Sequence, residues 1–154
     1  MEKEKIRVLY VDDESNNLFA FKASFRRYFE IITAESADEA KKVLEQQSFH
    51  VIITDQRMPG TTGVEFLESI LELYPDSMRI LLTGFADIEA VVAAINKGQI
   101  FKYVSKPWVE EDLKAIIEAA YGIIKLREEK KKLTKELHQV NDQLEFMLRQ
   151  KLLS

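Results

Sequence analysis

Short apolar runs alternate along this chain with longer stretches whose apolar residues recur at helical spacing. "IRVLYV" (Ile6–Val11) is bounded by charges and reads as a buried strand. Leu18, Phe21, Phe25 and Tyr28 then repeat at helical spacing, with Ser15 available as N-cap. "EIITA" (Glu30–Ala34) predicts a second strand, and Ser36 followed three residues later by Glu39 is a capping-box signature. Ala40, Val43 and Leu44 mark the apolar face of that helix. "VIIT" (Val51–Thr54) predicts a third strand, and Val64, Leu67, Ile70, Leu71 and Tyr74 form the next helical stripe. "RILLT" (Arg79–Thr83) is a fourth strand, after which Asp87 caps a helix through Ile88, Val91, Val92 and Ile95 that Gly98 stops. "IFKYV" (Ile100–Val104) predicts the fifth strand, and a helix follows Pro107.

Five strands alternating with five helices imply an α/β fold, a doubly wound parallel sheet covered on both faces, because right-handed crossovers allow little else. In such sheets ligands bind beyond the carboxyl ends of the strands. The polar residues at those ends therefore carry the information. Strand one ends in Asp12-Asp13-Glu14 and strand three leads to Asp55; strand four ends in Thr83-Gly84, and strand five leads to Lys106-Pro107.

Composition narrows the classes. A length of 154 residues suits one domain with an extension, and 46% hydrophobic residues suffice for a core. A net charge of −4 argues against a nucleic-acid surface. No cysteine is present, which excludes disulfides and thiolate chemistry. The segment "EKEKIR" after Met1 lacks the apolar stretch of a signal peptide, and no apolar run approaches the roughly 18 residues of a membrane span. A soluble, cytoplasmic chain with no membrane partner is the expectation. His50 and His138 are isolated and lack ligand spacing.

Each strand-end residue has a plain structural explanation taken singly: Asp12 or Asp13 as a helix cap, Thr83 as a β-branched strand residue, Lys106 as a surface lysine. Together they imply more. Crowded carboxylates repel unless a cation and an ammonium neutralise them. Oxygen ligands of this kind suit Mg²⁺, which uses one or two carboxylates plus waters and a phosphoryl group.

"YVDDE", "DQRMPGTTG", "LLTG" and "YVSKPW", in this order and spacing, resemble the receiver domain of two-component response regulators over roughly Ile6 to Ile124. The resemblance implies the flavodoxin-like strand order 2-1-3-4-5. It further implies that Asp55 is the phosphoacceptor, taking a phosphoryl group from a phosphohistidine on a sensor histidine kinase or phosphotransfer protein. Asp13, Asp55 and the backbone carbonyl of Arg57 would be direct Mg²⁺ ligands, with Asp12 acting mainly through metal-bound water. Lys106 would contact the phosphoryl oxygens, Thr83 would swing towards them, and Tyr103 would follow Thr83. Pro107 would follow a cis bond. By this resemblance the chain is a phosphoacceptor with scope for autodephosphorylation, not a turnover enzyme, and it takes no organic cofactor. Thr62 stands where many members carry Asp, and Phe85 and Arg57 sit where water access to the phosphoryl group is controlled. "DQRMPG", "LTG", "NKGQI" and "KPW" also resemble a subgroup often fused to output domains of the NtrC or cyclic-dinucleotide phosphodiesterase kind.

The tail has its own pattern. Ile116, Ala119, Ile123, Leu126, Leu133, Leu137, Val140, Leu144 and Met147 fall on a and d positions of one heptad frame, with Lys130 at an a position. The frame predicts a coiled coil continuing the last helix, and hence a homodimer; a solvated single helix is the plainer alternative. The organisation expected is a receiver domain over 1–124 and a helical extension over 125–154. Two other classes compete. A haloacid-dehalogenase-type phosphatase would need a second acid where Arg57 stands. An inactive receiver-like adaptor would have lost an acid or Lys106. The chain as the N-terminal part of a longer regulator is a further alternative.

Overall fold

In the computed structural model, which describes residues 4–89, 91–92 and 99–154, the alternation becomes a five-stranded sheet. The strands are β1 (Arg7–Val11), β2 (Glu30–Ala34), β3 (Val51–Asp55), β4 (Met78–Thr83) and β5 (Lys102–Ser105). All are parallel, in the order β2-β1-β3-β4-β5. The central strands β3 and β4 are buried along their whole length, which explains their unbroken apolar runs. β5 lies at the edge and is largely exposed. It starts two residues later than its sequence pattern suggests, because Ile100 turns into the core while Lys102 is the first residue to pair, opposite Ile80.

Four α-helices are described: α1 (Ser15–Phe25), α2 (Ala37–Gln46), α3 (Gly63–Ile70) and α4 (Glu110–Leu153). Leu18, Phe21 and Phe25 bury one side of α1, but Tyr28 falls in the turn beyond it. Ser15 does not cap α1. The N-cap is Glu14, and the turn into the helix is held by Asp12, whose Oδ1 accepts the Glu14 N–H at 3.0 Å. Ser36 caps α2 by accepting the Glu39 N–H at 3.1 Å, while the Glu39 carboxylate reaches one residue further back, to the Glu35 N–H. α3 begins with a complete capping box between Thr62 and Glu65 and ends at Ile70, leaving Tyr74 half-buried beyond it. After β4 comes a short 3-10 turn, Phe85–Asp87, and residues 88, 89, 91 and 92 are helical. Ile95 and Gly98, expected to continue and stop that helix, lie outside the described residues.

The chain divides into two units, residues 1–121 and 122–154. Within the first, α4 buries Leu113, Ile117 and Ala120 completely, while Ile116, the first residue of the heptad frame, is half-buried. Within the second, Leu126, Leu133, Leu137, Val140, Leu144 and Met147 are all exposed. No described helix is long and apolar enough to cross a membrane.

Candidate functional site

Hydrogen bonds that extend the strand ladders bring the polar strand ends to one edge. Asp55 stands opposite Leu82, and the next amide, that of Gln56, donates to the Leu82 carbonyl at 2.9 Å. The Asp12 amide donates to the Ala34 carbonyl at 3.1 Å, and the Lys106 amide to the Thr83 carbonyl at 2.9 Å. The segment after Asp55 then folds back on itself. Gly60 adopts a left-handed conformation at φ 80°, which a residue with a side chain would resist. Gln56 accepts twice from the start of α3: its carbonyl from the Gly63 N–H, its side-chain oxygen from the Val64 N–H, each at 3.0 Å.

Asp12, Asp13 and Asp55 each present a carboxylate oxygen within 4.8 Å of the others. Asp12 and Asp55 are buried, while Asp13 is exposed. The Lys106 Nζ lies 2.5 Å from Asp55 Oδ1. Burial pushes the Asp55 carboxyl above its ordinary range, aided by the Asp12 charge and opposed by Lys106. Asp12 receives three neutral donors: the Tyr10 hydroxyl at 2.6 Å, the Asn17 side-chain amide at 3.1 Å and the Glu14 N–H at 3.0 Å. Burial, then the bond to Asp12, pushes the Tyr10 phenol far up, so it stays a protonated donor. A donor set made only of carboxylate oxygens suits a hard divalent cation such as Mg²⁺.

Asp13 and Asp55 open on a cavity of about 560 Å³ lined also by Arg57, Met58, Asp87 and Lys106, while Asp12 lies buried behind them. Across its wall the Arg57 guanidinium donates to Asp87 through Nε at 2.9 Å and Nη2 at 3.3 Å. Asp87, expected as a helix cap, is thus the last residue of the 3-10 turn, with its carboxylate on Arg57. Thr83 is fully buried and its hydroxyl donates to the Gly84 carbonyl at 3.2 Å, so it does not line the cavity. Tyr103 points outward from β5 and is 40% exposed. The Lys106–Pro107 bond is cis. Trp108 shares a second cavity, of about 500 Å³, with Tyr10, Asn17 and Lys106, and so lies beside the site. The Phe85 side chain lies outside the described residues.

Sequence reasoning overlooked Tyr10, Asn17 and the Arg57–Asp87 pair. Tyr10 was legible, since residues i and i+2 of a strand share a face and Tyr10 precedes Asp12 by two. Asn17 and the pairing of Arg57 with Asp87, 30 residues on, carried no local signal. The Thr62–Glu65 capping box was also present as T-x-x-E.

Residues 8–118 match the family model described as the response regulator receiver domain. The hydrogenase transcriptional regulatory protein HoxA of Cupriavidus necator is 42% identical over 113 residues, 73% of this chain but only 23% of that protein. The chain thus spans about a quarter of the length of such regulators. A probable chemotaxis protein CheY of Rhizobium etli is 30% identical over 127 residues, covering 79% of this chain and 97% of its own length. Among solved structures, a response regulator receiver domain protein from Clostridium thermocellum superposes with a TM-score of 0.74 at 32% identity, covering 79% of this chain and 98% of that one.

Proposed function

This chain belongs to the response regulator receiver domain family of two-component signalling, and on that premise we propose that Asp55 is its phosphoacceptor. Receiver domains accept phosphoryl groups from histidine kinases and bind Mg²⁺ in an acidic pocket, to which the Asp12, Asp13 and Asp55 cluster corresponds. The observation that carries the reading is Asp55 itself: a buried carboxylate at the end of β3, 2.5 Å from an ammonium and beside two further acids, facing an open cavity.

In the proposed reaction an Asp55 oxygen attacks the phosphorus of a phosphohistidine. The P–O bond forms as the P–N bond breaks, and the departing imidazole takes a proton from solvent. Lys106 transfers its ammonium from the carboxylate to a phosphoryl oxygen. Asp13, Asp55 and the Arg57 carbonyl would hold the metal, with Asp12 acting through its water. Bound Mg²⁺ supplies neutralisation of the phosphoryl oxygens. The new group adds about −1.5 to −2 charge. That charge draws the Thr83 hydroxyl away from the Gly84 carbonyl, and Tyr103 turns inward behind it. The chain acts in this reading in the cytoplasm as a phosphoacceptor and slowly loses the group to water. Intact-mass measurement after incubation with acetyl phosphate and Mg²⁺ tests it. The wild type gains one phosphoryl mass and Asp55→Asn gains none; equal labelling of both defeats the assignment.

The exposed heptad stripe of residues 122–154 supports a second element, pairing with another copy and transmission of the phosphorylated state through the helix to a partner or further domain. An isolated helix of this composition is marginal in water, and a two-fold pair buries the stripe. Lys130 at an a position is better tolerated in two strands than in a tighter bundle. Light scattering should give twice the monomer mass for the full chain and the monomer mass for a version ending at Ile124. A monomeric full chain at micromolar concentration refutes it.

A further inference from the structure

Asp12 is fully buried, yet among the described residues no cation pairs with it; Lys106 is committed to Asp55. A buried carboxylate without a counter-charge is costly, and here three neutral donors take its place. The strongest is Tyr10. Its hydroxyl lies 2.6 Å from Asp12 Oδ2, the length of a charge-assisted O–H···O⁻ bond. The ring has little freedom to leave, being 1% exposed and stacked on Phe21 with centroids 4.2 Å apart. Asn17 bonds the same oxygen, so Oδ2 is doubly occupied before any metal arrives.

We propose that Tyr10 is a positioning residue of the acidic site, whose buried hydroxyl fixes the Asp12 carboxylate and partly neutralises it, lowering the affinity of the cluster for Mg²⁺. The proposal rests on the reading of the three acids as the Mg²⁺ site. Three carboxylates within 4.8 Å repel one another when no metal is bound, Lys106 offsetting only the Asp55 charge, and the remaining repulsion favours metal uptake. A donor on Asp12 relieves part of it in the metal-free protein. Metal binding then gains less, because polarised Asp12 has less charge to offer the metal's water shell. The hydroxyl therefore acts as a brake on affinity, keeping the metal exchangeable.

The test is calorimetric titration of the full chain with Mg²⁺, comparing wild type, Tyr10→Phe, Asn17→Ala and Asp13→Ala. Tyr10→Phe keeps the ring and its stacking on Phe21 and removes only the hydroxyl. Mg²⁺ should bind this variant about three- to tenfold more tightly, the scale of one charge-assisted hydrogen bond partly retained on binding. Asn17→Ala, at a half-exposed helix position, should shift affinity in the same direction by less and provides the reading should Tyr10→Phe fold poorly. A purely structural Tyr10 would alter unfolding and leave the Mg²⁺ titration unmoved. An unchanged or weakened affinity in Tyr10→Phe, with Asp13→Ala weakened as the metal reading requires, overturns the role of Tyr10 alone. An Asp13→Ala titration identical to wild type instead overturns the metal site on which it rests.

Discussion

Replacing Gly63 with alanine would drive a methyl group into the strand that carries Asp55. An ideal Cβ at Gly63 lies 2.3 Å from the Asp55 carbonyl oxygen, 2.8 Å from Leu81 Cδ1 and 3.0 Å from the Asp55 carbonyl carbon. Non-bonded carbon contacts settle near 3.5 Å, so the start of α3 would have to withdraw by about 1 Å. Most of the obstacle is backbone rather than a flexible side chain. Withdrawal also strains the two bonds from the Gly63 and Val64 amides to Gln56. Overpacking costs about 1–3 kcal/mol and each of the two hydrogen bonds about 0.5–1.5 kcal/mol, giving a loss of roughly 2–6 kcal/mol. At about 3 °C per kcal/mol, the melting temperature should fall by roughly 6–18 °C. Gly122 supplies the control, because its Cβ would meet nothing within 4 Å in the interior of α4. Gly122→Ala should therefore stabilise by about 0.5–1 kcal/mol. Urea unfolding followed by circular dichroism measures both, and acetyl phosphate labelling should drop only in Gly63→Ala. A Gly63→Ala protein within about 0.5 kcal/mol of wild type would show that α3 does not seat on Asp55 as described.

Two further outcomes follow from the electrostatics. Because burial raises the Asp55 carboxyl above its unfolded value, its folded form gains stability as pH falls and loses it as pH rises through the folded value. In EDTA, Asp55→Asn should thus unfold at higher denaturant than wild type at neutral pH, with the gap closing towards the ordinary carboxylate range near pH 4; a gap that widens on acidification contradicts this. Asp13→Ala should weaken Mg²⁺ binding as read by Trp108 fluorescence, since Trp108 shares a cavity with Tyr10 and Lys106, and an unchanged titration curve removes Asp13 from the ligand set.

The strand runs, their parallel pairing and the position of each polar residue at a strand's carboxyl end were legible because burial on both faces leaves unbroken apolar stretches with polar punctuation, whereas the strand order came only from the family resemblance. The heptad frame was legible for a similar reason: periodicity is local. Where reasoning from the chain went astray, the missing information was non-local. Ser15 looked like the cap of α1, but Asp12 already held the turn, and Asp87 looked like a cap until a guanidinium 30 residues away proved to be its partner. Ile100 read as strand because it is apolar, whereas pairing starts at Lys102, the residue that register with β4 brings opposite Ile80. The sequence by itself determined which elements form and which residues crown them. The tertiary structure decided which carboxylate meets Lys106, which is braced by Tyr10, and why residue 63 can have no side chain, since these depend on sub-ångström register between strands and helices brought together only by packing of the core.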